Sequence, residues 1–475
     1  MRRIYRSCLV LCCLSVISCA AQQEKKTAPA KPNIVFILAD DLGYGDLGCF
    51  GQQKIRTPHL DSLAGRGMRL THFYAGSTVC APSRSSLMTG QHTGHTPIRG
   101  NREIDPEGQW PLPDSVTTIA TLLQNAGYAT GAFGKWGLGP VGSEGDPVKR
   151  GFDEFFGYNC QRQSHNFFPD HLWHNDRRID LPNTTDSFSV YAAQEIQDHA
   201  LAFLDAHRDG PFFLFLPYTL PHAALQLPAD DSTFENYKRI FQEQPKSVPA
   251  KWNGKGYAPQ AYPHAAYAAM VTRLDVYAGQ VLNRLRELGL DSNTVVIFAS
   301  DNGPHEEGGN EPEFFQSSGP FRGVKRDVYE GGIRTPMIVS WPGKVKAGAI
   351  STHAGAFWDL MPTLAELAGL ETPAQTDGIS FLPAITGKGS QQQHAYLYWE
   401  FHEKGGRRAV RMGDWKAVQL DVRKNPDGPV ELYRLDTDPG EQNNLAEQHP
   451  DIVEKMRKLM QEAHRPNPSF PALDS

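Results

Sequence analysis

Two pairs of acidic and amide side chains in this chain have the composition of a divalent-cation site. Asp40 and Asp41 follow one short apolar run, and Asp301 and Asn302 follow another. They offer three carboxylates and one amide oxygen, a hard-oxygen set that suits calcium or magnesium better than zinc. We expect one calcium ion, because calcium tolerates irregular geometry and leaves room for a substrate oxygen and a nucleophile. The alternative for Asp40 and Asp41 alone is a loop with two solvated carboxylates.

A candidate nucleophile lies in the segment Cys80-Ala81-Pro82-Ser83-Arg84. Pro82 suits the first turn of a helix, because its missing N–H is not needed there and its φ angle is already helical. Cys80 is therefore expected at a helix N-terminus, where unpaired N–H groups favour an anion. Arg84 is close enough to hold the nucleophile and to neutralise carboxylates. The alternative is an ordinary helix start after a loop.

The elements that position these residues alternate between strands and helices. Short apolar runs predict buried parallel strands at residues 34–38, 128–133, 212–216, 294–299 and 337–341. Helical periodicity lies between them, over residues 116–126, 190–204 and 274–288. The alternation predicts an α/β fold with a mainly parallel central sheet and helices on both faces.

Polar side chains follow four of these runs: Asp40 and Asp41, then Lys135, then His222, then Asp301 and Asn302. In open α/β sheets the ligand crevice lies outside the carboxyl ends of the strands. We therefore expect all of these side chains at one edge. Turn formation explains any single one of them, but explains the whole set poorly.

The chain of 475 residues is long enough for a large catalytic domain, predicted at residues 32–388, and a small appendage. Residues 389–475 change to short strand-like pieces and a last helix from about 451 to 463, which predicts an α+β subdomain with an antiparallel sheet. A net charge of -6 without a Lys/Arg-rich run argues against a nucleic-acid partner.

The N-terminus has the pattern of a secretion signal. Basic residues precede the apolar run 8–17, which is too short to span a bilayer comfortably. Residues 16–20 resemble a bacterial lipobox, which predicts a signal peptide over 1–19, a lipid anchor on Cys19 as the sole membrane contact, and a tether over 20–31. A plain signal peptide cleaved near Ala20 is the alternative. We expect a periplasmic or outer-membrane-anchored protein.

The few other cysteines do not form a disulfide framework, and leave only a Cys49–Cys160 bridge open.

The ordered motifs resemble those of type I, formylglycine-dependent sulfatases. The resemblance covers Asn33–Asp46, the Cys-x-Pro-x-Arg segment at Cys80, Gly134-Lys135-Trp136, Thr219–His222, Ser300–Gly303, Lys325 and the Asp438–Glu441 segment. These motifs span nearly the whole chain after the signal. The resemblance implies an alkaline-phosphatase-like α/β sandwich and a bacterial carbohydrate or aryl sulfatase.

The resemblance also implies the role of each site residue. Cys80, oxidised to Cα-formylglycine by a maturation enzyme before export, attacks sulfur as its hydrate, and His222 protonates the departing sugar oxygen. Lys135, Lys325 and the cation stabilise charge on the sulfuryl oxygens. The metal ligands are Asp40, Asp41, Asp301, Asn302 and the modified Cys80, with Arg84 beside them.

One position departs from the family pattern. Gly137 stands where sulfatases often carry a histidine, two residues after the motif lysine, that is linked to elimination of sulfate. The base for that step is left unassigned, with Asp301 or a water as candidates.

The loop from Asn159 to Phe168 mixes hydrogen-bonding side chains with aromatic ones, a composition that suits a sulfated sugar. We expect Gln161, Arg162, His165 and Asn166 to bind substrate, with His402 closing the pocket from the C-terminal part. The favoured substrates are galactose or N-acetylgalactosamine sulfates, attacked by an exo-acting enzyme. A packing loop is the alternative for this segment. Two other functions stay open: a phosphoesterase of the same superfamily, and an inactive glycan-binding lipoprotein.

Overall fold

The computed structural model describes residues 31–249 and 251–473. The predicted signal peptide, Cys19 and the tether up to residue 30 lie outside the described residues. None of the helices within the two ranges combines the length and the apolarity needed to cross a bilayer.

The strands are β1 (Asn33–Ala39), β2 (Met68–Leu70), β3 (Phe73–Tyr74), β4 (Ala129–Lys135), β5 (Glu154–Tyr158), β6 (His171–His174), β7 (Arg177–Asp180), β8 (Phe212–Pro217), β9 (Thr294–Ser300), β10 (Met337–Ser340), β11 (Ala349–Ser351), β12 (Gly355–Ala356), β13 (Leu397–Phe401), β14 (Arg407–Met412), β15 (Trp415–Gln419) and β16 (Val430–Arg434). The helices are α1 (Pro58–Arg66), α2 (Cys80–Thr89), α3 (Ile119–Asn125), α4 (Ala192–Ala206), α5 (Ser232–Phe241), α6 (Pro263–Glu287), α7 (Pro312–Phe315), α8 (Glu330–Ile333), α9 (Leu360–Leu367), α10 (Leu382–Thr386) and α11 (Pro450–Glu462).

A 10-stranded sheet, in the order β11-β2-β10-β9-β1-β8-β4-β5-β6-β7, forms the centre of the fold. Its five middle strands, β9, β1, β8, β4 and β5, run parallel. The predicted α/β class with a mainly parallel sheet is confirmed. The expectation of a parallel strand at residues 337–341 was wrong, because β10 pairs antiparallel with both β9 and β2.

Side-chain alternation along β1 explains why the sheet is buried on both faces. Val35 and Ile37 pack with α4 and α6 in one apolar cluster, whereas Ile34 and Phe36 pack with α2, α3 and α9 in another. All seven residues of β1 are buried. A strand that is apolar at every position fits only between two layers of helices.

The C-terminal part carries a separate four-stranded sheet, β13-β14-β15-β16, whose neighbouring strands are all antiparallel. One face of this sheet packs on α11 through Met456 and Met460. The other face packs Trp399 against Trp358 and Tyr74 of the larger part. The predicted antiparallel appendage with a terminal helix is confirmed, whereas the boundary between residues 388 and 389 stays a prediction.

The three cysteines within the described ranges are free. Cys49, Cys80 and Cys160 form no disulfide with one another. The bridge that the sequence left open between Cys49 and Cys160 is absent.

Candidate functional site

The carboxyl ends of four neighbouring strands bring the predicted polar residues to one place. The register pairs Ala39 of β1 with Ser300 of β9, so the acidic residues that follow each strand start side by side. The backbone N–H of Asp301 donates to the Ala39 carbonyl at 3.0 Å, and that of Asp40 donates to the Leu220 carbonyl at 3.1 Å. Leu220 lies on the segment that leads from β8 to His222. Backbone hydrogen bonds therefore connect the ends of these strands.

A cluster of oxygen and sulfur atoms forms where these ends meet. Cys80 Sγ lies 3.3 Å from Asp40 Oδ1 and 3.9 Å from Asp41 Oδ1. Asn302 Nδ2 donates to Asp41 Oδ1 at 2.6 Å. Asp41 has a φ angle of 62°, in the left-handed region that few residues other than glycine, asparagine and aspartate adopt, and its carboxylate lies in the cluster.

Part of the predicted metal-ligand set lies together, whereas the oxygens of Asp301 accept hydrogen bonds from the Asp41 N–H at 3.1 Å and from Arg84. Asp40, Asp41, Cys80 and His222 offer ligand atoms that all lie within 4.8 Å of one another. The Oδ1 atom of Asn302 is buried and has no hydrogen-bond partner among the described residues, whereas its Nδ2 is satisfied. A buried amide oxygen left without a donor is the arrangement expected of a metal ligand.

Three buried cations counterbalance the carboxylates. Lys135 Nζ donates to Asp40 Oδ2 at 2.6 Å, and Lys325 Nζ donates to Asp41 Oδ2 at 2.6 Å. Arg84 donates through Nε and Nη2 to Asp301 Oδ2 at 3.1 and 2.8 Å. These long side chains are almost fully buried, and therefore surround the cluster with fixed positive charge.

The charges act on the carboxylates unequally. Burial raises the pKa of Asp40, but the charges of Lys135, Arg84 and Lys325 lower it well below its usual value. Burial and the charge of Asp40 raise the pKa of Asp301 to about 7, against the attraction of Arg84. Asp40 is therefore ionised at all ordinary pH values, while Asp301 titrates near neutrality.

Cys80 is the first residue of α2, as Pro82 indicated. All ten residues of this helix are buried. The N–H of Ala81 donates to Asn101 Oδ1 at 3.0 Å, a contact that the sequence did not reveal. Burial and Asp40 raise the pKa of the Cys80 thiol well above its ordinary value, so an unmodified thiol here stays protonated and is a poor nucleophile.

His222 presents one ring nitrogen to the cluster. Its Nδ1 lies against the carbonyl oxygen of Ala223, which can only accept, so Nδ1 carries the proton. Nε2 then faces Lys325 Nζ at 3.1 Å and Asp41 Oδ2 at 3.2 Å. Burial and the charge of Lys325 lower the pKa of His222 well below its usual value, so the ring is neutral at rest.

The space beside Gly137 is filled by Gln161. A Cβ atom at Gly137 would lie 2.5 Å from Gln161 Nε2, and Gly137 has a φ angle of 72°, which favours glycine. The N–H of Gly137 donates to the Asn159 carbonyl at 3.2 Å, which extends the β4–β5 pairing and brings residue 161 alongside. Both amide atoms of Gln161 are buried without hydrogen-bond partners in the described chain.

The structure brings four of the five predicted substrate residues to one side of this site. The His165 ring stacks on the His222 ring at 4.7 Å between centroids, and Gln161 lies beside Gly137. Arg162 and Asn166 line an adjoining cleft together with His165. Asn166 also caps its own loop, because its Oδ1 accepts from the Phe168 N–H at 3.0 Å.

His402 is placed differently. Its contacts are with Glu400 at 2.9 Å, with the ring of Phe470 and with Arg423, all of them in the C-terminal part. The structure does not bring it into contact with the loop residues. The proposed substrate roles of all five residues stay predictions.

Two residues that the sequence did not single out also belong to this cleft. Trp252 and Tyr257 form its second wall, and the Tyr257 ring lies 5.1 Å from His165. The only indication in the sequence was a pair of aromatic residues, Trp252 and Tyr257, in a segment with two glycines.

Comparison with known proteins agrees with this geometry. The sequence profile of the family described as "Sulfatase" matches residues 32–370. The chain belongs to the sulfatase family. A second profile, "N-sulphoglucosamine sulphohydrolase, C-terminal", matches residues 322–466 of this sulfatase.

Individual relatives cover most of the sulfatase. Human arylsulfatase A is 32% identical over 461 residues, which cover 90% of this chain and 87% of the relative. Mouse N-acetylgalactosamine-6-sulfatase is 32% identical over 419 residues, covering 82% and 72%. Among solved structures, Ps i-CgsB has a TM-score of 0.76 at 28% identity and covers 94% of each chain. The protein is thus a sulfuric ester hydrolase.

Proposed function

We propose that this sulfatase removes sulfate from a saccharide, with a nucleophile derived from Cys80. One observation carries the proposal. Cys80 begins a fully buried helix within 3.9 Å of two carboxylates, and Lys135 and Lys325 are hydrogen-bonded to those same carboxylates. Such a site suits an oxyanion ester and offers fixed positive charge where negative charge develops.

Because the Cys80 thiol stays protonated, it is a poor nucleophile. This supports a mechanism in which Cys80 is first oxidised to Cα-formylglycine. A buried thiol beside Asp40 does not ionise, whereas the hydrated aldehyde supplies a hydroxyl nucleophile and a route to release sulfate. Arg84 lies one helical turn further along α2 and is anchored on Asp301, which places its guanidinium beside the nucleophile.

Calcium is the proposed cation. Asp40, Asp41, Asp301 and Asn302 would hold it, and when bound it polarises the sulfate ester and fixes its orientation. Around it, Lys135 and Lys325 are positioned to bind the remaining sulfuryl oxygens. The Lys325 ammonium is hydrogen-bonded to Asp41 Oδ2 and so occupies an oxygen that a second metal site would need, which argues against the phosphoesterase alternative.

His222 is the proposed proton donor to the departing sugar oxygen. Nε2 is the ring nitrogen that faces the site, and the adjacent Lys325 ammonium already donates to it. We propose that Nε2 takes up a proton from solvent when the anionic ester draws Lys325 to its sulfuryl oxygens, and passes that proton to the sugar oxygen as the ester bond breaks. His222→Ala should slow the hydrolysis of sugar sulfates far more than that of activated aryl sulfates, because a good leaving group needs no acid. Equal losses on both substrates would refute this role.

A sugar is the proposed carrier of the sulfate. Two similarities support it: mouse N-acetylgalactosamine-6-sulfatase among the curated relatives, and the complex of Ps i-CgsB with k-i-k-neocarrahexaose among the solved structures. Galactose and N-acetylgalactosamine sulfates are therefore the first substrates to test.

The test is release of inorganic sulfate from a panel of monosulfated sugars by matured protein. Lys325→Ala should reduce the rate by at least about a hundredfold, as expected for loss of one charge that stabilises the transition state. Lys388→Ala removes an exposed lysine and serves as the matched control. Wild-type protein that carries formylglycine and releases no sulfate from any sugar would overturn the proposal.

We also propose export as a lipoprotein, supported by the basic, apolar and lipobox-like segments before residue 21. Maturation of Cys80 would then precede export. Incorporation of labelled fatty acid into the wild type but not into Cys19→Ala is the expected result, and labelling of both would contradict a lipid on Cys19.

A further inference from the structure

A cleft of about 640 Å³ opens beside the catalytic histidine. His165 and Tyr257 line it, and both rings also contact His222, at 4.7 and 6.0 Å between centroids. The cleft therefore adjoins the histidine that is the proposed proton donor to the departing sugar oxygen. Its volume is within the range of ~300–1,000 Å³ that buries a ligand larger than a single sugar ring.

One wall of the cleft is aromatic. Trp252 and Tyr257 are both only partly buried, so their faces are available to a ligand. The indole N–H of Trp252 donates to the Lys255 carbonyl at 3.0 Å, and the Lys255 N–H donates to Asn253 Oδ1 at 3.0 Å. These bonds hold the turn that presents the indole. Aromatic faces of this kind stack on the apolar face of a sugar.

The cleft also carries positive charge. Lys255 is exposed and has no carboxylate within 4.0 Å in the described part of the chain. Arg162, from the other segment that lines the cleft, is already paired with Glu103 at 3.4 Å and Asp105 at 3.9 Å, and its Nη2 donates to the Pro106 carbonyl at 2.6 Å. Asp170, the acidic residue of the lining, is already engaged by His171 and Arg178.

We propose that this cleft binds a disaccharide unit with a second anionic group. The ring next to the cleaved ester lies against His165 and Tyr257, the neighbouring ring stacks on Trp252, and Lys255 pairs with a sulfate or carboxylate on it. The inference rests on the proposed function and deepens it, because it specifies an anionic glycan and not an isolated sugar sulfate or an aryl sulfate.

The experiment measures kcat/KM for three matched disaccharides and for an aryl sulfate. In the disaccharides, the ring distant from the cleaved sulfate carries sulfate, carboxylate or no charge. Trp252→Ala should lower the ratio of disaccharide to aryl-sulfate kcat/KM by about tenfold, mainly through KM, as expected for loss of one stacking contact. Lys255→Ser should abolish the preference for the charged over the neutral disaccharide. The two charged disaccharides distinguish sulfate from carboxylate as the favoured group.

Lys251→Ser is the matched control, because Lys251 is exposed on the same segment, pairs with Asp186 and does not line the cleft. Equal losses on aryl sulfate and disaccharide in Trp252→Ala, or an unchanged charge preference in Lys255→Ser, would overturn the proposal.

Binding separates this inference from the hydrolysis mechanism. Titration of Cys80→Ala with the charged disaccharide should give measurable affinity, which Trp252→Ala in the same background lowers by about tenfold. If no protein releases sulfate but this difference persists, the mechanism fails and the cleft assignment stands. If sulfate is released and the difference is absent, the cleft assignment fails alone.

Discussion

Asp301 is held near its midpoint of protonation at neutral pH. Burial and the charge of Asp40 raise its pKa to about 7, although Arg84 donates two hydrogen bonds to it. A carboxyl group with a raised pKa keeps its proton below that value and must release it before it can bind a cation.

We therefore expect calcium affinity to depend on pH. In chelator-treated Cys80→Ala protein, affinity should rise by up to about tenfold per pH unit between about pH 5 and 7 and then level off, because one proton is displaced. Calorimetric titration across this range measures it. Asp301→Asn should bind more weakly and lose most of the slope, and a wild-type affinity independent of pH would contradict the assignment.

A second residue-scale prediction concerns Gly137. Gly137→Ala forces a φ angle of 72° on an L-residue and places its Cβ 2.5 Å from Gln161 Nε2, so we expect the free energy of unfolding to fall by about 1–3 kcal/mol. Denaturant unfolding measures this loss. Gln161→Ala removes the contact but not the backbone strain, so the double variant should be more stable than the sum of the two single changes predicts. Strict additivity would show that Gln161 does not occupy this space.

At the scale of elements, the positions of the strand ends could be predicted from the sequence, but the pairing of the two segments that line the cleft could not. The polar residues after β1, β4, β8 and β9 were found from local periodicity, because parallel strands deliver their carboxyl ends to one edge. β10 was assigned the wrong direction, because an apolar run does not encode which way its strand runs. Trp252 was missed for a similar reason. It is far from Arg162 in the sequence, and nothing local indicates that the two residues line the same cleft.

The C-terminal sheet is joined to the larger part by a buried charge cluster. Lys416 of β15 is fully buried and pairs with Glu330 at 3.0 Å and with Glu441 at 2.9 Å. Glu441 also accepts from the Glu330 N–H at 2.6 Å, at the start of α8. Burial raises the pKa of Glu441 to about 7, against the charge of Lys416.

Lys416→Met should therefore destabilise the whole protein by about 3–5 kcal/mol, because it removes the cation that pairs with Glu441 and leaves buried Glu330 with Arg334 as its ion-pair partner. The loss should be larger above about pH 7 than below it, since protonation of Glu441 relieves the repulsion. Thermal unfolding at two pH values tests this, with the exposed Lys424→Met as control. Equal stability of wild type and Lys416→Met would show that this cluster does not hold the two parts together.

For the whole molecule, sequence and structure agree on a sulfatase in which two layers of helices enclose a mainly parallel sheet. The order of motifs indicated the family, and profile and relatives confirm it. The substrate depends on surfaces far from those motifs, which is why the sequence left it open. We propose that hydrolysis requires a formylglycine made from Cys80.

The most direct test is a mass measurement of the Cys80 peptide made together with an assay of sulfate release, on preparations produced with and without a maturation enzyme. We predict that activity rises in proportion to the fraction of peptide in which the sulfhydryl is replaced by an aldehyde, and that Cys80→Ala is inactive in every preparation. Full activity in a preparation whose Cys80 peptide is entirely unmodified thiol would contradict it.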